Sequence, residues 1–468
     1  MRALLKSVRN TWHAAAHDSL LVLTARCPLR SRKGVAALHA AELAGQRLHF
    51  APVVSDQQSQ FSVAGRGETA RLTGAGQDAA WTIRSAADSL FSELQELRAE
   101  GCEVAPRPRL YGGFRFVCDR ASASAGAIDP WQSFADASFT LPRWLLLSRG
   151  ADSFLQLAIR ASALHDQLQV ESELAAIEAA LSDERTTPSP TPPAPKVRRQ
   201  DLPADQYVAL VKSALQGIAA GDFVKVVTAC RSQLTSDQPF ELARILGALD
   251  DSYSDCKRFA LEREGSVFVG ATPELLVARS GRKVYTEALA GTKARTVVSE
   301  DEQLRAALLH DDKERREHAH VITAIVDSLH GCGVEAPEVF ATQVRSLRNV
   351  HHLGTVISGV LREDRHVLAL VRALHPTPAV CGLPREAASE FLATHEPTPR
   401  GLYAAPVGWF DAAGDGEFWV AIRSALLRDR QAWLYAGAGI VAGSDPHREY
   451  EETAVKLRAM LYALGVST

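Results

Sequence analysis

Two charged side chains stand inside runs that otherwise read as buried strand. Lys225 interrupts Val224-Lys225-Val226-Val227-Thr228-Ala229, and Glu274 leads Gly270-Ala271-Thr272-Pro273-Glu274-Leu275-Leu276 into an apolar stretch. Charged groups seldom sit among apolar neighbours without a partner or a task. A lysine that gives up its proton is a base, and a carboxyl group that keeps its proton is an acid. On facing walls the two form an acid/base pair. Lys225 also fits an edge strand from which its ammonium reaches water.

Glu449, Glu452 and Lys456 follow at i, i+3 and i+7 of what reads as the last helix, so they share one face. Such a run also describes a solvated helix face. Its chemical reading is a hard-cation site, because oxygen donors suit Mg²⁺, which keeps waters and takes one or two carboxylates plus substrate. Glu317 offers a second acidic group in a charge-rich helix. His310, His318 and His320 do not have the i, i+4 spacing of a helical zinc pair.

Phe418, Val420, Ile422 and Leu426 alternate as one buried strand face, which puts Arg423 on the opposite face between the small Ala421 and Ala425. That arrangement leaves room for a carboxylate bound by both arms of the guanidinium. Gly437 and Gly439 alternate on the next strand, where missing side chains let backbone approach a ligand. Ala290-Gly291-Thr292 ends an earlier hairpin in the same way.

These residues need elements to hold them. Tyr207, Leu210, Val211, Ala214, Leu215 and Ile218 fall at helical spacing, with Gly221 placed to close the helix. Glu274–Arg279 and Lys283–Ala290 read as a hairpin around Ser280-Gly281. Residues 300–330 read as one long helix, with Ser299 and Glu302 spaced as a capping box and Gly331 past its end. Asp445-Pro446 opens the last helix and Gly465 closes it. Leu20–Leu23, Tyr111–Phe116 and Phe139–Leu145 read as strands. Hairpins mixed with separate helices predict an α+β fold of antiparallel sheets. Five prolines between Pro188 and Pro195 predict an extended, solvated connection over residues 183–203, dividing an N-terminal region (1–182) from a C-terminal one (204–468).

Composition narrows the classes. The 468 residues carry a net charge of −3, with 46% hydrophobic and 23% charged residues. That balance predicts no nucleic-acid partner and no membrane partner. Seven scattered cysteines without CxxC predict reduced thiols and a cytoplasmic setting. No separate dimerisation element is visible, so a monomer is expected.

In chain order, the segments around Glu274, Glu287-Ala288-Leu289-Ala290-Gly291-Thr292, Glu317-His318, His375-Pro376-Thr377-Pro378-Ala379, Ile422-Arg423-Ser424, Ala436–Val441 and Glu451-Glu452-Thr453 resemble the chorismate-utilising enzymes. The resemblance runs from about Leu210 to Leu464 and continues more weakly over Tyr111–Leu145. Within the family, Lys225 and the His-Pro-Thr-Pro-Ala segment resemble the isochorismate synthase branch, with salicylate synthases as the nearer alternative. The resemblance implies two large antiparallel sheets stacked as a sandwich with helices outside, residues 1–182 contributing strands to it. It implies chorismate as substrate, Lys225 as the base that activates water, and Glu274 as the acid. It implies Mg²⁺ held by Glu317 and Glu452, with Glu449 close by. Ala290, Gly291, Thr292, His352, Ala379, Arg423, Gly437, Gly439 and Lys456 are then the substrate-binding positions. The N-terminal segments lean toward the menaquinone-type enzymes over the siderophore type. A reading from another class, a dinucleotide-binding oxidoreductase using Gly437-Ala438-Gly439-Ile440-Val441-Ala442-Gly443, lacks both a following βαβ unit and the acidic residue such a site needs.

Overall fold

The computed structural model describes residues 1–3, 5, 19–27, 38, 39, 41, 43–53, 61–116, 129–161, 167–182, 195–295 and 301–466. Strand pairing there is antiparallel except where Leu20–Arg26 runs parallel to Leu94–Arg98. The pairings form one unbroken series. From Lys225–Ser236 it passes to Gln431–Val441, Ser424–Arg428, Ser266–Thr272, Lys257–Arg263, Arg47–Ala51 and Ser62–Gly74. The long strand Ala137–Arg149 comes next. Beyond it follow Arg109–Phe114, Pro406–Asp411, Gly416–Val420, Leu275–Ser280, Lys283–Ala294 and Val350–Leu361.

The series curls back so that its two halves face each other. Phe50 of the first half packs on Tyr111 of the second, ring centroids 5.7 Å apart, and both are fully buried. The fold is therefore the expected α+β sandwich, but its layers are one curled sheet joined through Ala137–Arg149. A smaller apolar cluster lies between Leu21, Leu23, Trp144, Leu146 and Leu157 of the N-terminal strands and Val170, Leu174 and Ile177 of the helix Gln167–Ser182. The helix Asp312–Gly331 packs on Lys283–Ala294, and the terminal helix Pro446–Ala463 packs on Gln431–Val441.

Several local expectations change. Of the 183–203 segment, residues 183–194 lie outside the described residues, and Val197–Asp201 is a strand beside Ser232–Ser236. Its exposed Arg198, Arg199, Gln200 and Asp201 suit a sheet edge. The single helix predicted over 300–330 is two helices, Asp301–Leu309 and Asp312–Gly331. Asp311 interrupts it by capping the second, its carboxylate accepting from Lys313 N and Glu314 N at 3.1 and 3.2 Å. Ser299 lies outside the described residues.

The strand predicted through Phe418–Leu426 is also two strands, broken at Ala421–Arg423, where Arg423 has φ +52°. The reason is topological. Gly416–Val420 pairs in the second half of the series and Ser424–Arg428 in the first, so the chain must cross between layers. Thr272-Pro273-Glu274 makes the neighbouring crossing, from Ser266–Thr272 to Leu275–Ser280.

Gly112 shows how tightly the turn of the sheet is built. A Cβ there would lie 1.9 Å from the Ser138 carbonyl oxygen and 2.8 Å from Phe139 Cα. Gly112→Ala should destabilise the protein by about 1–3 kcal/mol, as overpacking against fixed backbone does. Urea unfolding would show this as a lower midpoint with unchanged slope, and an unchanged midpoint would mean that the two strands can separate freely.

Candidate active site

A cleft opens between the sheet halves and two helices. Every site residue singled out from the sequence lines it: Lys225, Glu274, Ala290, Gly291, Thr292, Glu317, His352, Ala379, Arg423, Gly437, Gly439, Glu449, Glu452 and Lys456. Strand register explains the floor. Gly439 lies opposite Val227, Gly437 opposite Ala229, and Val441 opposite Lys225, so Lys225, Val227, Gly437 and Gly439 share one face.

The two glycines also make room for neighbouring side chains. A Cβ on Gly439 would stand 3.2 Å from Lys225 Cε and 3.3 Å from Glu317 Oε1. Its missing side chain makes room for an ion pair, Lys225 Nζ to Glu317 Oε1 at 2.7 Å. A Cβ on Gly437 would stand 3.2 Å from the Tyr403 hydroxyl, and the Gly437 carbonyl accepts a hydrogen bond from Lys456 Nζ at 2.8 Å. Both glycines sit inside a paired antiparallel strand, so no strand-to-helix phosphate loop of the dinucleotide type exists there.

Glu274 and Arg423 occupy the two crossings. Three hydrogen bonds pin these together: Thr272 Oγ1 to Val420 O at 2.5 Å, Val420 N to Glu274 O at 3.0 Å, and Ala271 N to Arg423 O at 3.1 Å. A crossing leaves side chains at the layer boundary instead of on a paired face, and both groups line the cleft there. The Glu274 carboxyl is 5% exposed. Burial pushes it up to about 8, with Glu287 adding to the rise and Lys225, Lys456 and Arg423 opposing it. Glu274 is therefore protonated at neutral pH.

Arg423 Nη2 approaches His352 Nε2 at 3.5 Å. His352 Nδ1 faces the Gly291 carbonyl at 3.2 Å, which can only accept, and the Thr292 hydroxyl at 3.1 Å, which can accept as well. The ring is thus a neutral imidazole that donates from Nδ1 and offers its Nε2 lone pair to the guanidinium. Burial holds its pKa well below the ordinary histidine value, with Arg423 and Lys456 adding to the effect. Gly291 takes φ +67° at a bulge in its strand, and the Thr292 N–H donates to Glu314 Oε2 at 3.1 Å.

Four carboxylates converge on the cleft mouth. Glu314 and Glu317 come from one helix, Glu449 and Glu452 from the terminal helix, which Asp445 caps through His447 N and Arg448 N. Burial, and after it the charge of Glu452, raise Glu449 to about 7. Burial also raises Glu314, helped by Glu317. Burial acts on Glu317 too, but the Lys225 charge and hydrogen bond, with Lys456 and Lys313, hold it below the usual carboxylate range. Glu452 pairs with Lys456 at 2.6 Å. These four carboxylates are the oxygen donors that a hard divalent cation takes, and Lys225, Lys313 and Lys456 stand beside them. Among the described residues no three His, Cys, Asp or Glu groups are gathered as a metal site.

Sequence reasoning missed Glu314, Lys313, Tyr403 and Arg400 in this lining. Glu314 had a signal, because it stands three residues before Glu317 on the same helix face. Tyr403 and Arg400 come from a turn with no periodicity to read.

Comparison with known proteins places the chain. A family model described as chorismate binding enzyme matches residues 10–465. The chain is 36% identical over 362 residues to the isochorismate synthase MenF of Bacillus subtilis, covering 76% of this chain and 75% of that protein. It is 37% identical over 362 residues to the salicylate biosynthesis isochorismate synthase of Pseudomonas aeruginosa, covering 76% and 74%. The structure of MenF, the menaquinone-specific isochorismate synthase of Escherichia coli, superposes with a TM-score of 0.78 at 25% identity, over 99% of both chains.

The raised Glu274 pKa has a consequence for stability. The unfolded carboxyl ionises near 4.3, the folded one near 8, so its contribution is complete below the lower value and is lost as pH rises through the upper one. Relative to Glu274→Gln, the parent should lose unfolding free energy between about pH 4.5 and 8 and run parallel above that. Parallel curves throughout would show that Glu274 is ionised in the fold.

Proposed function

This chain belongs to the chorismate-binding enzyme family, and on that premise we propose that it is an isochorismate synthase, converting chorismate to isochorismate reversibly. The observation that carries the reading is the placing of Lys225 and a protonated Glu274 in one cleft with Arg423 and Lys456. Lys225 takes a proton from water as its oxygen bonds to ring carbon C2. The ring double bonds shift, the C4–oxygen bond breaks, and Glu274 gives its proton to the departing hydroxyl. Water enters and water leaves, so the product is an isomer. Arg423 and Lys456 bind the substrate carboxylates, with Ala290, Gly291, Thr292, His352, Ala379, Gly437 and Gly439 shaping the wall around the ring.

Mg²⁺ fits the acidic mouth. Glu317 and Glu452 would hold it with Glu449 alongside, and it would neutralise the substrate's ring carboxylate among these acids. In its absence Glu317 keeps Lys225 at hand, and Lys456 keeps Glu452 from repelling an incoming anion. A monomer is taken as the catalytic unit, because no separate dimerisation element is visible in the sequence. The match to the menaquinone-specific enzyme over 99% of both chains speaks for menaquinone biosynthesis, and the 37% identity to the salicylate-biosynthesis enzyme speaks for the salicylate pathway. We favour the first, and on the scattered reduced cysteines a cytoplasmic setting.

The direct test is product analysis. Purified enzyme with chorismate and Mg²⁺ should yield isochorismate without pyruvate, and excess EDTA or Glu452→Ala should stop turnover. Stoichiometric pyruvate and salicylate would make it a salicylate synthase, and full turnover in EDTA would remove the metal from the reading.

Lys225→Ala should lose at least about 10²-fold in kcat, the low end for a positioned acid/base group, while chorismate still binds. Lys225→Arg should not recover the loss, because a guanidinium stays protonated. Near-parent rates in Lys225→Arg would reduce Lys225 to a positioning cation.

A further inference from the structure

Lys225 sits on a strand with an interrupted edge. One side of Lys225–Ser236 is paired without a break from Lys225 to Thr235. On the other side, Gly382-Leu383 pairs only with Val226 and Lys225, and Val197–Asp201 pairs only with Ser232–Ser236. Between them Val227 and Ala229 turn buried backbone groups toward an edge that carries no strand. Unpaired, such groups cost about as much as a lost hydrogen bond each.

Glu396 and Arg400 fill the gap. Glu396 Oε1 accepts from Ala229 N at 2.9 Å, and Arg400 Nη2 donates to Val227 O at 2.5 Å. The two side chains are joined by a fork, Nε to Oε2 at 2.9 Å and Nη2 to Oε1 at 2.5 Å. Arg400 Nη1 donates to Val380 O at 2.7 Å, and Val227 N donates to Cys381 O at 2.7 Å. The guanidinium lies 4.3 Å from the Phe116 ring centroid. Glu396 is 8% exposed and Arg400 5%. Although Arg400 lines the cleft, four of its five N–H donors are committed to these partners, so it is not a spare cation for substrate.

We propose that the Glu396–Arg400 ion pair is the positioning device of the active site, standing in for a strand along Val227–Ala229 so that Lys225 is held against Glu317 and across from Glu274. Through Val380 the same pair ties down the segment that presents Ala379 to the cleft. A short polar plug does what a strand could not: it completes the edge yet lets residues 376–381 bend into the wall. The proposal rests on the catalytic reading of Lys225 given above. Arg400 and Glu396 act through the strand and are positioning residues.

The test separates stability from geometry. Arg400→Met should lose on the order of 10²-fold in kcat, the scale of an ångström-level misplacement, with KM for chorismate little changed. Its Tm should fall, because a buried glutamate is left unpaired. The double variant Arg400→Met/Glu396→Leu should regain much of the Tm, as apolar replacement of a buried pair commonly does, without regaining kcat. Recovery of kcat together with Tm would overturn the proposal, as would parent-like kcat in Arg400→Lys, which cannot make the fork. Should Arg400→Met not fold, Glu396→Gln keeps the volume and is read in the same way. Hydrogen exchange at the Ala229 amide gives a readout free of catalysis: faster exchange in the double variant supports the plug, and parent-like protection refutes it. A parent enzyme that makes no isochorismate would sink the catalytic reading, while the exchange result would still decide what the ion pair does.

Discussion

Two neighbouring chain crossings govern this molecule. At Thr272–Glu274 and at Val420–Arg423 the backbone leaves one layer of the curled sheet for the other, and three hydrogen bonds lock the crossings side by side. A strand that changes layers cannot keep its side chains on a paired face. Glu274 and Arg423 are therefore delivered to the boundary between layers, where the cleft opens. The left-handed backbone of Arg423, unusual for a residue with a Cβ, is the local strain of that geometry, held by the surrounding ladder.

The electrostatics follow from this placement. Glu274 is buried by the layers that meet around it, so it keeps its proton to about pH 8. Lys225 is equally buried but lies within reach of Glu317, and the two neutralise each other. One fold thus turns two charged residues in apolar runs into a protonated acid and an ion-paired lysine. The space is arranged as carefully as the charge. Gly439 carries no side chain because the lysine–glutamate pair occupies that volume, and Gly437 leaves its carbonyl to Lys456.

The helices contribute the acidic mouth through simple periodicity. Glu314 and Glu317, then Glu449 and Glu452, are i, i+3 pairs on two helices packed on the two halves of the sheet. Burial first, and their mutual repulsion after it, raises Glu449 and Glu314. Asp311 and Asp445 start these helices at fixed points, and so set which residues face the cleft.

Much of this was legible in the sequence. Lys225 and Glu274 announced themselves as charges in apolar runs, and Glu449, Glu452 and Lys456 as one helix face. The hairpin after Glu274 and the helix closed by Gly221 followed from local chemistry, since turn residues, caps and periodicity act over a few neighbours. Where the chain crosses layers, local pattern misled. The alternation of Phe418 to Leu426 reads as one strand because a crossing in mid-run leaves the apolar period almost intact, and Asp311 hid a helix break inside a continuous helical pattern. Tertiary structure alone decided that Arg423 faces His352, that Gly439 makes room for an ion pair, and that Glu396 and Arg400 complete the edge beside Lys225. Each of these depends on which backbone groups lack a strand partner or a free volume, and that is settled only when segments distant in the chain are brought together.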